Sequence, residues 1–301
     1  MPAGSIVFER AGLHTTIQDG GRWGYQHLGV PVGGALDQAA LRRANILVGN
    51  DAHEAAFEVT LVGCAIRVHA DVYMAVAGAR FDLTVNGRSV ESDVALPLAS
   101  GDLLQLGERR HGARAYVAVR GGLDVPVVLG SRSAWPLLTR RGALRDGEQV
   151  ALGRRYAGDV RRRSWPTPPS TKILRVVAAP EAADAPRALE TLCAGSYRLA
   201  ASASRMAYPL EGPAISLVTP ARSSSGTVTG GLQILPSGQP LLLMADRQTT
   251  GGYPVAAIVI TADLTHASQL APGDAVRFRL CTQADALRAC RDAEQQWEQQ
   301  P

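Results

Sequence analysis

Ala245-Asp246-Arg247-Gln248-Thr249-Thr250-Gly251-Gly252-Tyr253-Pro254 is the stretch on which the fold and the site both turn. It follows Leu241-Leu242-Leu243-Met244, an apolar run of the length and content of a buried strand. A strand that delivers Asp, Arg, Gln and two Thr onto a glycine turn is poor core material. Buried polar groups need partners, and packing alone would not select this cluster. The sequence therefore places a small polar ligand at the strand end. Gly251 and Gly252 are expected to allow positive φ and close approach to the backbone, with successive amides forming an anion-binding nest. Arg247 is a candidate grip for a carboxylate or phosphate. Asp246 is a candidate proton acceptor. Gln248, Thr249, Thr250 and Tyr253 are candidate substrate contacts. The competing structural explanation is an Asp–Arg pair that braces a tight turn.

Outward from this stretch the chain reads as a turn-rich β protein. Among 301 residues, 31 are glycine and 18 proline, well spread along the chain. Short segments alternate at 57–61, 65–68, 72–76, 82–85, 103–106 and 114–119, with Asn86-Gly87 as a hairpin signal. This pattern predicts a barrel or sandwich. One helix is expected over 38–48, capped by Asp37 and closed by Gly49-Asn50. The Arg-, Pro- and Ser-rich run 154–171, with Trp165-Pro166-Thr167-Pro168-Pro169, is the best linker. It divides the chain into halves at 1–165 and 166–280, followed by a helical tail, 281–301. A strand near 172–178 and a helix near 181–193 open the second half. Ala99-Ser100-Gly101-Asp102 and Ala271-Pro272-Gly273-Asp274 look alike and hint at duplication. In the tail, Thr282 and Asp285 form a capping-box pattern, and Ala286, Cys290, Ala293 and Trp297 share one stripe.

Composition excludes several chemistries. Lys172 is the sole lysine, and it sits at a strand opening, so Schiff-base, Walker and biotinyl-lysine roles have no candidate elsewhere. The net charge of +4 comes from arginines dispersed among acids, with Arg161-Arg162-Arg163 the main cluster and no aromatic stacking pattern; a solvated surface, with no nucleic-acid partner, is expected. Cys64, Cys193, Cys281 and Cys290 lack zinc spacing, and the six histidines show no paired motif, so no metal is expected. Reduced thiols, no signal-peptide pattern and no apolar span predict a cytoplasmic protein without a membrane segment.

Two further clusters carry polar chemistry. Thr15-Thr16-Ile17-Gln18-Asp19 precedes Arg22, Tyr25 and His27, with Asp19 and His27 as a candidate acid–base couple and turn capping as the plainer role. Gly130-Ser131-Arg132-Ser133 offers Arg132 as a second anion clamp.

The same segments resemble a known family. Thr16-Ile17-Gln18-Asp19, Gly21-Arg22, Gly24-Tyr25, Leu28-Gly29-Val30-Pro31, Leu47-Val48-Gly49-Asn50, Arg120-Gly121-Gly122, Leu129 to Ser133, Arg205-Met206, Leu210-Glu211-Gly212 and Ala245 to Pro254 are similar, in order, to the carboxyltransferase-type family. That family includes the C-type subunit of 5-oxoprolinase, allophanate hydrolase subunit 2 and the carboxyltransferase region of urea amidolyase. The resemblance implies a mainly β fold of two cyclophilin-like β-barrel subdomains with a few short helices. It implies one component of an ATP-dependent 5-oxoprolinase-like complex, a cyclic amide hydrolase that opens 5-oxoproline to glutamate. Its partners would be a related barrel protein (of the 5-oxoprolinase B type or the allophanate hydrolase subunit 1 type) and an A-type 5-oxoprolinase subunit, with ATP shared among them. In that frame Asp246 and Gln248 are the catalytic candidates. Arg247, Thr249, Thr250, Gly251, Tyr253, Arg132, Gln18 and Asp19 are the binding candidates. The alternatives are a biotin-dependent urea or amide carboxyltransferase and a non-catalytic regulatory partner of a kinase inhibitor. The chain departs from the family pattern at Val255 (usually Lys), Ser225 (usually acidic) and Ser204 (usually Asp), all of which remove charge near the presumed pocket.

Overall fold

The computed structural model describes residues 4–139, 141–153, 160, 171–182, 185–217 and 223–298. The boundary expected between residues 165 and 166 and the Arg161-Arg162-Arg163 cluster lie outside them. The chain forms two compact units, one of Met1–Trp23 with Gly33–Pro168, the other of Gly24–Val32 with Pro169–Pro301.

In the first unit, β1 (Ser5–Arg10), β2 (His14–Gln18), β3 (Ala56–Thr60), β4 (Ala65–Val68), β5 (Val72–Val85), β6 (Arg88–Ser89), β7 (Ala95–Leu98), β8 (Leu103–Val119) and β9 (Gln149–Ala151) make one nine-stranded sheet. The ladder runs β2-β3-β8-β4-β1-β9, and β5 joins it along β8. The four segments expected at 72–76, 82–85, 103–106 and 114–119 are two long strands, β5 and β8. The β5–β8 register shifts three times, between Gly78 and Arg80, Arg80 and Phe81, and Phe81 and Leu83. Each irregularity breaks the period-two alternation, so one bent strand reads as two short ones.

Alternation on the unbroken part of β5 and β8 decides what packs where. Met74, Val76, Val117 and Val119 face a core with Ile6, Phe8, Ile17, Phe57 and Ile66; the Phe8 and Phe57 rings meet edge to face at 5.0 Å. Ala75, Ala77, Tyr116 and Ala118 face the other way, and α1 (Gln38–Leu47) seats Leu41, Ala44 and Leu47 on them. Small residues on the strands let the helix approach. Asp37 caps α1 as expected, its Oδ1 accepting Ala40 N–H at 3.0 Å. The entrance to α1 is held from below by two buried side chains. Glu58 Oε2 accepts Leu36 N–H at 2.9 Å and the Tyr116 hydroxyl at 2.6 Å, and that hydroxyl oxygen accepts Asp37 N–H at 2.8 Å. Burial, then the Glu58 and Asp37 carboxylates, push the Tyr116 phenol well above its ordinary pKa, so it remains a donor. A short helix, α2 (Pro136–Thr139), follows the 130–135 loop.

The second unit contains β10 (Ile173–Ala178), β11 (Tyr197–Leu199), β12 (Ala207–Glu211), β13 (Ser225–Gly226), β14 (Gly231–Ile234), β15 (Pro240–Leu243), β16 (Thr250–Gly251), β17 (Val255–Val259) and β18 (Ala275–Leu280). Seven of them close a barrel, β10-β17-β14-β15-β12-β11-β18, and β13 pairs with β16 in a separate ribbon. Leu174, Val176, Tyr197, Leu232, Leu242, Val276 and Phe278 are buried. The helix expected at 181–193 begins later, as α3 (Pro186–Ala194), because Pro186 takes its first turn; α4 (Leu264–Ser268) is short. The tail is α5 (Gln283–Glu298), lying against β10. Thr282 and Asp285 cap it reciprocally, Asp285 Oδ2 accepting Thr282 N–H at 3.0 Å and Thr282 Oγ1 accepting Asp285 N–H at 3.1 Å. The Ala286, Cys290, Ala293 and Trp297 stripe is half-buried.

The two similar turns are the same device, one in each unit. Gly101 and Gly273 both take positive φ, 98° and 87°. Asp102 Oδ2 accepts Ala99 N–H at 2.8 Å, and Asp274 Oδ2 accepts Ala271 N–H at 2.9 Å. Gly101 N–H reaches Val68 O, and Gly273 N–H reaches Leu199 O, each at 2.8 Å. Lys172, half-exposed, pairs with Asp274 at 2.6 Å. No helix among the described residues is long and apolar enough to cross a membrane.

Replacing Tyr116 with Phe should lower the unfolding free energy by about 1–3 kcal/mol, because Asp37 N–H loses its acceptor and Glu58 a donor. Urea melts measure this; an unchanged midpoint would show that the hydroxyl does not secure the α1 entrance.

Candidate functional site

The 245–254 stretch leaves the barrel at the end of β15, and its geometry follows from where its backbone and charges find partners. Asp246 N–H donates to Arg205 O at 3.0 Å. Its carboxylate takes Arg205 in a two-pronged grip, Nε to Oδ2 at 2.9 Å and a terminal nitrogen to Oδ1 at 3.0 Å. The two side chains are 15% and 9% exposed, so solvent screens the pair weakly. Asp246, expected as a general base, instead anchors the loop to the segment before β12. The bracing pair anticipated by the plainer reading exists, with Arg205 as the partner rather than Arg247.

Arg247 turns inward. Its guanidinium donates to Thr229 Oγ1 at 2.6 Å and to Thr227 O at 3.4 Å, and its residue is 5% exposed. Burial lowers its pKa from the ordinary arginine value, yet a guanidinium keeps its charge. This arginine supports the 227–229 strand approach. Thr227 also donates to Gln248 O through its hydroxyl and to Thr249 O through its N–H, the latter at 3.0 Å. The β13–β16 ribbon then pairs Ser225 with Gly251 and Gly226 with Thr250.

What remains at the surface is neutral: Gln248, Thr250, Gly252 and Tyr253 are exposed and Thr249 is half-buried. Neither Gly251 nor Gly252 takes a positive φ, so the expected amide nest does not form there. Gly251 instead packs close to its neighbours. A Cβ on it would lie 2.7 Å from Gln233 Nε2 and 3.2 Å from Thr227 Cγ2.

The first-unit cluster is a carboxylate knot. Asp19, 8% exposed, accepts four donors: Gly21 N–H at 2.8 Å, Ser131 Oγ–H at 2.7 Å, Ser133 Oγ–H at 2.6 Å and Arg132 N–H at 2.5 Å. Arg22 donates to Ser133 O at 2.6 Å. These bonds tie the 19–22 loop to the 131–133 loop, three of them on Oδ1 and one on Oδ2. Asp19, expected as half of an acid–base couple with His27, holds these two loops together. His27 is exposed on a short 3-10 turn, Gln26–Leu28, that groups with the second unit. Arg132 meets Asp19 through its backbone; its side chain lies 3.6 Å from Glu54. Gln18 is fully buried, its Nε2 donating to Thr16 Oγ1 at 3.0 Å while Oε1 has no hydrogen-bond partner.

Sequence reasoning did not single out Gln233, Thr227, Thr229 or Glu54, and gave Arg205 no role. Gln233 had a signal: a carboxamide inside the apolar strand Gly231-Leu232-Gln233-Ile234 breaks the pattern of a core strand. The other partners act across turns and leave no local trace. Among the described residues no group of three or more His, Cys, Asp or Glu is arranged to hold a metal ion.

Residues 28–280 match the family model described as carboxyltransferase domain, subdomain A and B. The chain is 36% identical over 301 positions to the C-type subunit of 5-oxoprolinase from Escherichia coli (strain K12), spanning 96% of each. It is 30% identical over 308 positions to urea amidolyase of Saccharomyces cerevisiae, spanning 91% of this chain and 16% of that one. Among solved structures, the urea carboxylase of Kluyveromyces lactis superposes with a TM-score of 0.88 at 25% identity, over 98% of this chain and 29% of that chain.

Asp246→Ala should destabilise the second unit by about 2–4 kcal/mol, since it strands a mostly buried guanidinium. Asp19→Ala should cost a similar amount, about 2–4 kcal/mol, by leaving four donors short of an acceptor. Denaturant unfolding followed by circular dichroism measures both; melts matching the unsubstituted protein would show that neither carboxylate is architectural.

Proposed function

As a member of the carboxyltransferase domain family, subdomains A and B, the chain is, we propose, one component of a heteromeric ATP-dependent 5-oxoprolinase. The observation that carries this is the match to the C-type 5-oxoprolinase subunit along 96% of both chains. The urea amidolyase match is equally continuous here but takes in only 16% of that much longer protein.

The chemistry suits the residues available. 5-Oxoproline is an unstrained lactam, so water alone opens it slowly. Transfer of the γ-phosphoryl group from ATP to the lactam oxygen makes the carbonyl carbon electrophilic. Water then attacks that carbon, the ring C–N bond breaks as its nitrogen takes a proton, and a second water hydrolyses the resulting acyl phosphate, giving glutamate, ADP and phosphate. This sequence needs a group that recognises a planar carbonyl–nitrogen unit and hydroxyl donors near a developing negative charge. In this chain Gln248, Thr249, Thr250 and Tyr253 are the side chains offered for it. Asp246 and Arg247 hold the loop that presents them, and Gln18, Asp19 and Arg132 play the corresponding supporting part in the first unit. Partner proteins of the A and B types would supply the rest of the nucleotide site. The complex would work in the cytoplasm, where ATP is made and Cys64, Cys193, Cys281 and Cys290, all free thiols here, stay reduced.

Purified chain mixed with A-type and B-type partners should release phosphate from ATP in a 5-oxoproline-dependent way. Gln248→Ala, an exposed position, should lower kcat/KM by about 10–100-fold with an unchanged melting temperature. Turnover that appears only with urea and a biotinylated carrier, or a stable complex with no turnover at all, would overturn the proposal in favour of a carboxyltransferase or a regulatory partner.

A further inference from the structure

Gln233 is the one polar side chain on β14, and its position is unusual in three independent ways. First, period-two alternation puts Leu232 and Ile234 on the face that fills the barrel, so Gln233 points outward. An outward glutamine would normally reach water, yet this one is 1% exposed, with Gly251 of the β13–β16 ribbon close to its amide nitrogen. Second, its Oε1 is buried without a hydrogen-bond partner. Native proteins seldom leave a buried carboxamide oxygen unpaired unless the state that uses it contains something more. Third, the β14–β17 ladder slips at this residue: Leu232 faces Ala257, but Gln233 faces Val255, leaving Ala256 as the extra residue. A bulge re-aims the side chain beside it.

The side chain is aimed at Gly251. A Cβ at that position would lie 2.7 Å from Gln233 Nε2 and 3.6 Å from Gln248 Nε2. Two carboxamides, one on the barrel wall and one on the exposed loop, therefore converge on the single residue that has no side chain to separate them. A carboxamide both donates and accepts, and two of them present the complement of a flat group that also does both. The neighbouring charges are committed elsewhere, Asp246 to Arg205 and Arg247 to Thr229, so recognition here is neutral.

We propose that Gln233 is a specificity-determining residue of this site, its carboxamide lying beside that of Gln248 so that the pair reads the planar carbonyl–nitrogen unit of a lactam or urea-like substrate. The proposal rests on reading the 245–254 loop as an amide-binding site, but not on which amide is turned over. The unpaired Oε1 is the acceptor reserved for the substrate N–H. An analogue with oxygen in place of that nitrogen, such as the matching lactone, has no hydrogen to give it and is rejected.

The test separates architecture from recognition. In Gln233→Leu and Gln233→Met an unpaired buried oxygen is replaced by apolar atoms of similar shape, so the melting temperature should hold or rise. In the assembled complex the KM for 5-oxoproline should rise about tenfold or more, and preference for the lactam over the lactone should fall by a similar factor. A lower melting temperature with activity lost only in proportion, or unchanged KM and preference, would overturn the proposal. A second measurement needs no turnover. In the nitrogen-15-labelled chain, the side-chain NH2 resonances of Gln233 and Gln248, assigned by their Leu variants, should shift together on titration with 5-oxoproline. If urea moves them and 5-oxoproline does not, the carboxamide pair stands and the 5-oxoprolinase reading falls. If neither compound moves the Gln233 resonance, its role in recognition is refuted.

Discussion

Two carboxylates that accept rather than react hold the polar loops of this protein in shape. A loop leaving the end of a buried strand exposes backbone and side-chain donors that the sheet no longer satisfies, and each one left dry is costly. Asp19 answers this in the first unit by gathering four donors from two loops. Asp246 answers it in the second by gripping the Arg205 guanidinium with both oxygens while its own N–H bonds Arg205 O. Formal charge near the loops is thereby spent on geometry. The groups left exposed or half-buried on the 248–253 segment are carboxamide, hydroxyl and phenol. The neutral, planar lactam or urea-like unit of a substrate is what such a surface would discriminate best.

The parts of the fold legible in sequence were those with local causes. The α1 cap at Asp37, the Asn86-Gly87 turn with φ of 50° and 78°, the paired Gly-Asp turns and the Thr282–Asp285 box all depend on residues a few positions apart. So does the apolar run of β15. The long strands β5 and β8 were not legible, because their bulges interrupt the alternation that marks a strand. The polar loop after β15 was legible as a location and not as an arrangement. The Ala245–Pro254 stretch declared that polar groups gather there. Which of them are tied down and which stay exposed depended on Arg205 and Thr229, 41 and 18 residues away from their partners, and no local pattern encodes that choice. The glycines were noticed for the wrong property: Gly251 matters because Gln233 lies under it, not because its backbone turns left-handed.

The three departures from the family pattern take on physical meaning at their observed positions. Ser204 accepts Met206 N–H at 3.3 Å through its hydroxyl, so a neutral acceptor stands where a carboxylate would, beside the Arg205 that Asp246 already neutralises. Ser225 pairs through its backbone with Gly251 and is exposed, so its side chain bears on the rim of the loop rather than on its shape. Val255 is half-buried and sits directly across the ladder from Gln233. An ammonium group on that face would offer the Gln233 oxygen a strong donor and satisfy it permanently. Valine offers none. The oxygen stays unpaired. The substitutions that strip charge from this region thus leave a carboxamide whose hydrogen-bonding capacity is still free when the ligand arrives.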